Sequence, residues 1–304
     1  MARPPLLLGI EIGGTKLQLA LGRGDGRIEA LERRAIRPAS GARGILDQIA
    51  EAYGALLARG ERPEAAGIGF GGPVDADRGV VVRSHQVEGW DGFPLADWVR
   101  SELGIAAVAV GNDADVAGLG EARFGSGVGR SPIFYVTIGS GIGGGLILGG
   151  RIYRGAGAGA AEIGHVWVDD GSGGRARLED VASGWAIGAA GRDRIAGGSP
   201  DLTAIDVARA AASSDPRAAA ILGRATDALA SALAHVVTLL APQRIILGGG
   251  VSLLDESLWL GPIRVKLDQL AFPPFRGTYD LATAALGEAV VVHGAFALAA
   301  GTGE

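Results

Sequence analysis

The chain has 304 residues with 28 basic and 33 acidic side chains, a formal charge of −5, which excludes the strongly basic footprint of a nucleic-acid or anionic-membrane binder. It has no cysteine, so disulfides, thiol catalysis, iron–sulfur clusters and Cys-ligated zinc are excluded too. No run approaches the ~18 uninterrupted apolar residues of a membrane span, and residues 6–10 are too short for a signal peptide, so a cytoplasmic enzyme is expected.

Residues 6–12 and 17–21 are apolar runs around Gly13-Gly14, which predicts a hairpin with a tight glycine turn. Residues 45–57 carry Ile45, Leu46, Ile49, Tyr53, Leu56 and Leu57 at helical spacing. Strands are predicted at 66–70, 80–82 and 106–110, with a short helix at 95–103. The last of these strands ends at Gly111-Asn112-Asp113, and a helix should follow through Glu121. The hairpin pattern then returns, with strands at 133–138 and 146–148 around the glycine turn 139–145. This is a weak internal repeat and suggests two related halves. A helix near 180–195, a long helix at 217–240 ended by Pro242, a strand at 244–247 and a third glycine turn at 248–250 follow. Residues 289–300 read as a buried apolar helix. Trp90 and Trp185 are expected to pack; His235, opposite the apolar stripe of the long helix or at its edge, and His293, in the apolar tail, are expected to be structural; His85 falls in a loop near Gly72.

Glycine makes up 53 residues, far above the usual ~7%, and much of it sits in these turns. Two segments match G-x-G-x-x-G, at Gly67, Gly69, Gly72 and at Gly139, Gly141, Gly144. Neither is followed directly by a helix, as the dinucleotide fingerprint requires, and no P-loop sequence is present. A hairpin glycine turn can instead cradle phosphate through backbone N–H groups. Thr15 and Ser140 can add hydroxyl donors, Lys16 a charge, and Glu11 a carboxylate for magnesium through water. A carboxylate at a strand end could take a proton from a hydroxyl, and Asp113 is placed for it. Asn112 or Asp113 could equally be a helix cap. Glu162 and His165 sit on one side of a turn, but as a zinc pair they lack further ligands, and they could be an ordinary surface pair.

The ordered motifs GIEIGGTK (9–16), GIGFGGPVD (67–75), GNDADVAGLGEARFG (111–125), TIGSGIGGG (137–145), AEIGHV (161–166), LEDVASG (178–184) and LGGGVS (247–252) together resemble the ROK family of sugar kinases, in the actin-like ATPase superfamily. The resemblance implies an α/β fold of two actin-like, ribonuclease H-like domains flanking a central cleft. It places residues 1–111 in a small N-terminal domain completed by a C-terminal helix at 289–304. Residues 112–288 then form a larger domain with most sugar-binding and part of the ATP-binding residues. It implies ATP- and Mg-dependent phosphorylation of a glucose-like hexose, at the 6-hydroxyl, with Asp113 as general base. Gly72, Gln86, Asn112, Asp113, Glu162, His165 and Glu179 are then the sugar-binding residues. Gly13, Gly14, Thr15, Lys16, Thr137, Gly139, Ser140 and Gly141 would hold ATP, with Gly248, Gly249 and Gly250. A homodimer is implied as well.

The chain departs from the family pattern in places. The stretch 166–177 lacks the cysteines of the family's structural zinc motif, so no zinc site of that form is expected and His165 is left to contact sugar. Glu11 and Glu288 stand where Asp is commoner, Gln86 where many members have Asn, and Asp115 where NDAN is usual. Two alternatives remain: a non-catalytic sugar sensor on the same fold, and a glucokinase using polyphosphate.

Overall fold

The computed structural model describes residues 4–58, 60–84, 87–157, 159–195 and 199–303. Strands β1 (Leu7–Ile12) and β2 (Lys16–Gly22) form the first hairpin, and β3 (Ile28–Ala35) adds to β2. Helix α1 (Gly41–Leu57) buries Ile45, Leu46, Ile49, Ala52, Tyr53 and Leu56 along one stripe, the spacing that its period demands. Strand β4 (Ala65–Phe70) and a small ladder, β5 (Val74–Asp75) with β6 (Val80–Val81), follow. Helix α2 (Leu95–Leu103) stops at Gly104, which takes the left-handed conformation. Strand β7 (Ala107–Asn112) runs straight into helix α3 (Asp113–Phe124). The sheet order is β3-β2-β1-β4-β7, with β1, β4 and β7 parallel.

The second sheet starts with β8 (Ile133–Ile138), β9 (Ile142–Leu148) and β10 (Arg151–Ile152). A separate hairpin, β11 (Trp167–Asp169) with β12 (Arg175–Arg177), precedes α4 (Leu178–Ala182) and α5 (Gly184–Arg194). The single helix expected near 180–195 is thus two helices. Ser183 between them is extended, and its hydroxyl caps α5 by accepting the Ala186 N–H. Helices α6 (Ala204–Ala212) and α7 (Pro216–Leu240), strand β13 (Arg244–Gly248), helix α8 (Leu260–Leu270) and strand β14 (Asp280–Thr283) complete this part. The order β10-β9-β8-β13-β14, with β8, β13 and β14 parallel, repeats the order of the first sheet strand for strand. The weak repeat in the sequence is therefore a repeat of topology. Helix α7 is long and apolar enough to cross a membrane by composition alone, but 67% of its most apolar window is buried in the protein.

The last helix, α9 (Val290–Ala300), belongs with the first sheet. Alternation along β1 explains both faces. Leu8, Ile10 and Ile12 join the cluster under α1 and α2, whereas Leu7 faces Val292 and Phe296 of α9. Gly67 permits that approach to the sheet, and Gly294 lets α9 close on α3 as well. A Cβ on Gly67 would lie 1.9 Å from the Ala295 carbonyl oxygen, and one on Gly294 would lie 1.7 Å from that of Val116. The first G-x-G-x-x-G match is therefore, at Gly67, a packing feature. The chain divides into two compact units, one of Met1–Gly129, Gly145–Ala160 and Ala285–Glu304, the other of Arg130–Gly144 and Ala161–Ala284. Helix α3, which the sequence reading puts in the larger domain, sits in the first unit because Gly120 and Gly294 let it close on α9.

Candidate active site

In the first unit, the parallel strands end level with one another: Ile12 pairs with Phe70, and Phe70 with Asn112. Carboxyl ends of parallel strands are where α/β sheets place ligands. Three short segments meet that edge: the turn at Gly13-Gly14, the turn at Gly71-Gly72, and the start of α3. Asn112 is the cap of α3. Its Oδ1 accepts the N–H groups of Ala114 at 2.9 Å and Asp115 at 3.4 Å, and its Nδ2 donates to the Gly72 carbonyl at 3.1 Å. Asp113 is the first residue of the helix. Its Oδ1 accepts the Ala114 N–H at 2.8 Å, and its Oδ2 lies 3.4 Å from where a Cβ on Gly71 would be. Of the two roles open to this pair, Asn112 takes the cap, and Asp113 is held half-buried against the Gly71 turn.

The hairpin turn is more committed than its composition suggests. The Gly13 N–H donates to the Lys16 carbonyl at 2.9 Å, so it closes the turn. Lys16 Nζ lies 3.1 Å from Glu11 Oε1 and donates to the Glu288 carbonyl at 3.0 Å. Gln18, fully buried, donates to Glu11 Oε2 at 2.5 Å and to the Glu288 carbonyl at 2.9 Å, and its Oε1 accepts from Arg33 at 2.9 Å. Burial pushes the Glu11 carboxyl up, while the Lys16 charge and the Gln18 hydrogen bond pull it back. Both Glu11 oxygens are thus engaged, and among the described residues no three His, Asp or Glu side chains cluster as metal ligands. The residues present do not fit a magnesium ion held by the protein itself. A cavity of about 490 Å³ nearby is lined by Asn112, Asp115, Asp75, Asp77 and Arg154; Asp113 is not among its lining residues.

In the second unit, Thr137 pairs with Gly248 at the ends of β8 and β13. The turn after β8 is closed by the Gly139 N–H on the Gly141 carbonyl at 3.0 Å. The Gly139 and Ser140 carbonyls accept the first amides of α5, from Gly184 at 2.8 Å and Trp185 at 3.4 Å. Gly249 has φ +82 and packs on the Ile138 backbone, a conformation that favours glycine. Gly139, Ser140, Gly250, Val251, Trp185 and Ile205 line a mostly apolar cavity of about 380 Å³. Trp90 packs as expected, buried between Phe70 and Phe93. Trp185 does not; it is 66% exposed at the cavity mouth.

Beside the same turn stand three of the sugar-site candidates. His165 Nδ1 lies 3.9 Å from Glu162 Oε2, and His165 Nε2 lies 4.0 Å from Glu179 Oε1. Glu179 Oε2 lies 3.5 Å from where a Cβ on Gly141 would be. Sequence reasoning missed Arg177. Its Nη1 lies 3.2 Å from Glu179 Oε1, while Nε and Nη2 bind both oxygens of Asp180 at 2.9 and 3.0 Å. Nothing in R-x-E marks that fork before the β12–α4 junction is known. Gln86 and His85 lie outside the described residues. His235 is exposed, and His293 sits between Phe124 and Phe296.

A model of the ROK family matches residues 7–302. The chain belongs to the ROK family. Similar ROK relatives include the glucokinase of Thermotoga maritima, 33% identical over 305 residues and covering 95% of each chain. The kanosamine kinase of Amycolatopsis mediterranei is 36% identical over 256 residues, 81% of this chain and 80% of that one. Among solved structures, a ROK family glucokinase from Streptomyces griseus, in complex with glucose and AMPPNP, is 33% identical. It superposes with TM-score 0.83 over 97% of this chain and 99% of that one. The ROK chain is accordingly a sugar kinase, a phosphotransferase.

Proposed function

We propose that this ROK chain transfers the γ-phosphoryl group of ATP to the 6-hydroxyl of a glucose-like hexose, with Asp113 as general base. The observation that carries the reading is the double tie of Asn112, to Gly72 and to the first turn of α3, which fixes Asp113 against the Gly71 turn. Asp113 would take the hydroxyl proton as the new O–P bond forms and the bond to ADP breaks. Gly72, Asn112, Glu162, His165, Glu179 and, outside the described residues, Gln86 would bind sugar hydroxyls. Polar groups that a bound sugar covers reject analogues lacking a hydroxyl, because they are then left unpaired. Magnesium would arrive on the nucleotide's phosphates, where it would neutralise developing charge.

The second unit supports ATP over polyphosphate as donor. Beside the Gly139–Gly141 turn lies an apolar chamber lined by Trp185, Val251 and Ile205, which suits a nucleobase. A polyphosphate chain has no group to fill it. Backbone amides of Gly14, Thr15, Ser140 and Gly141, with Thr137 and the glycines 248–250, would meet the phosphates. A cytoplasmic location suits an ATP donor, and the family resemblance implies a homodimer, which size-exclusion chromatography checks.

A coupled assay tests the reading across hexoses and amino hexoses with ATP and magnesium, then with polyphosphate. Amino hexoses belong in the panel because Asp75, Asp77 and Asp115 line the cavity beside Asn112. Asp113→Asn should lower kcat by about 10²–10⁴. An unchanged rate in that variant, or sugar binding without turnover in the parent, rejects the assignment, and the latter favours the sensor alternative.

A further inference from the structure

Away from the residues above, a cavity of about 690 Å³ runs along one stripe of α7. Ala220, Gly223, Ala228 and Ser231 form its small-residue floor. The β11–β12 turn borders it through Gly171 and Ser172, and two arginines, Arg194 and Arg224, line it. The acidic side chains around it are each bonded elsewhere. Asp169 accepts the Gly171 N–H at 2.7 Å. Asp170 Oδ1 accepts the Ser172 N–H and hydroxyl, both at 2.7 Å, and the Gly174 N–H at 3.1 Å. Asp227 is paired with Lys266. Among the described residues neither arginine has a carboxylate within ion-pair distance, and Arg224 Nε is enclosed with no acceptor. Burial, and next the charge of Arg194, push the Arg224 guanidinium below its ordinary range; the opposing pull of Asp170 is smaller. Asp169 and Asp227 line the same cavity and keep their charge, but among the described residues neither lies within ion-pair distance of a guanidinium, and an anion between Arg194 and Arg224 would give both the partner they lack.

We propose that this cavity is a binding site for a phosphate group, held by the guanidinium groups of Arg194 and Arg224. The shared chemistry is a phosphate dianion, and the cavity has room for the ester of a hexose as well as for the free ion. The inference does not rest on the proposed reaction, since no residue of the cavity takes part in it.

The test is calorimetric titration of the full chain, in phosphate-free buffer, with inorganic phosphate and separately with glucose 1-phosphate, an ester that transfer to the 6-hydroxyl does not form. Arg194→Gln and Arg224→Lys are compared with Ser140→Ala, which probes the glycine turn. Arg194→Gln lies at the exposed end of α5, and Arg224→Lys keeps the charge, so the two do not share one route to misfolding. The expected result is one binding event that Arg194→Gln weakens about ten- to a hundredfold. Arg224→Lys should weaken it too, and Ser140→Ala should leave it in place. Equal affinity for both probes identifies the phosphate alone as the ligand, and tighter binding of the ester identifies a phosphosugar; either supports the site. No heat with either probe, or binding that survives Arg194→Gln, overturns it.

Discussion

The Asn112 side chain donates to the Gly72 carbonyl at 3.1 Å while capping α3 through Ala114. One carboxamide therefore joins the turn after β4 to the helix that begins with Asp113. Asn112→Asp keeps an acceptor for the cap and loses the donor. Its stability should stay near the parent's, while KM for sugar rises. Asn112→Ala loses both and should cost a further ~1–2 kcal/mol in urea unfolding. Parent-like KM in Asn112→Asp would show that the Gly72 tie does not matter to the site.

Arg177 makes a second, separable prediction. It grips Asp180 with a fork and reaches Glu179 at 3.2 Å. Arg177→Gln releases Glu179 and should raise KM for sugar about three- to tenfold with a smaller change in kcat. Arg177→Lys restores charge without the fork and should fall between. Because the arginine is 42% exposed, urea midpoints should stay near the parent's. Equal losses in kcat and kcat/KM would mean that Arg177 acts in the transition state instead.

Glu121 is fully buried on α3 and accepts three backbone amides: Ser126 at 2.7 Å, and Ala285 and Leu286 at 2.9 Å each. Removing the carboxylate strands those donors, so Glu121→Ala should cost about 3 kcal/mol or more. Glu121→Gln keeps an acceptor for part of the set and should cost less. The urea midpoint of Glu121→Gln, which fills the same space, decides between this tether, for which it falls below the parent's, and simple space filling, for which it stays at the parent's.

His293 gives the pH dependence. Burial lowers its folded-state pKa below the ordinary 6.5, against smaller opposing effects of the Gly26 backbone and Glu121. The unfolded chain therefore binds the proton first as pH falls. The stabilisation is fully present above the unfolded value and is lost as pH drops from about 6.5 toward the lower folded value. His293→Leu, which suits the neighbouring Phe124 and Phe296, should remove that part of the slope. Urea midpoints measured from about pH 7.5 to about pH 5 should converge on a flatter line for the variant.

Much of the fold was legible because turns and apolar runs are local. Both hairpins, α1, α3 and α7 follow from residues that lie side by side in the chain. Strand β3 did not, because Glu29, Glu32, Arg33 and Arg34 break its apolar pattern on an edge position. Helix α8 carries Gly261 and Pro262 in its first turn and buries only Leu260, Ile263 and Leu267, so its signal is faint. The split falls at Ser183-Gly184, a breaker pair inside a stretch that otherwise reads as one helix. At the site, residue types were readable and their commitments were not. Lys16 reads as a free cation, yet it is held by a carbonyl 272 positions away, at Glu288. Trp185 reads as core for want of any local sign that it faces a cavity.

The first sheet is covered on one face by a helix from the far end of the chain. A ribosome has added every residue from 7 to 295 before Phe296 exists to cover Leu7 and Gly9. The nascent amino-terminal half therefore waits, with an apolar sheet face open, through synthesis of the whole second unit. Loss of even the last dozen residues would leave the earliest-made strands without their cover.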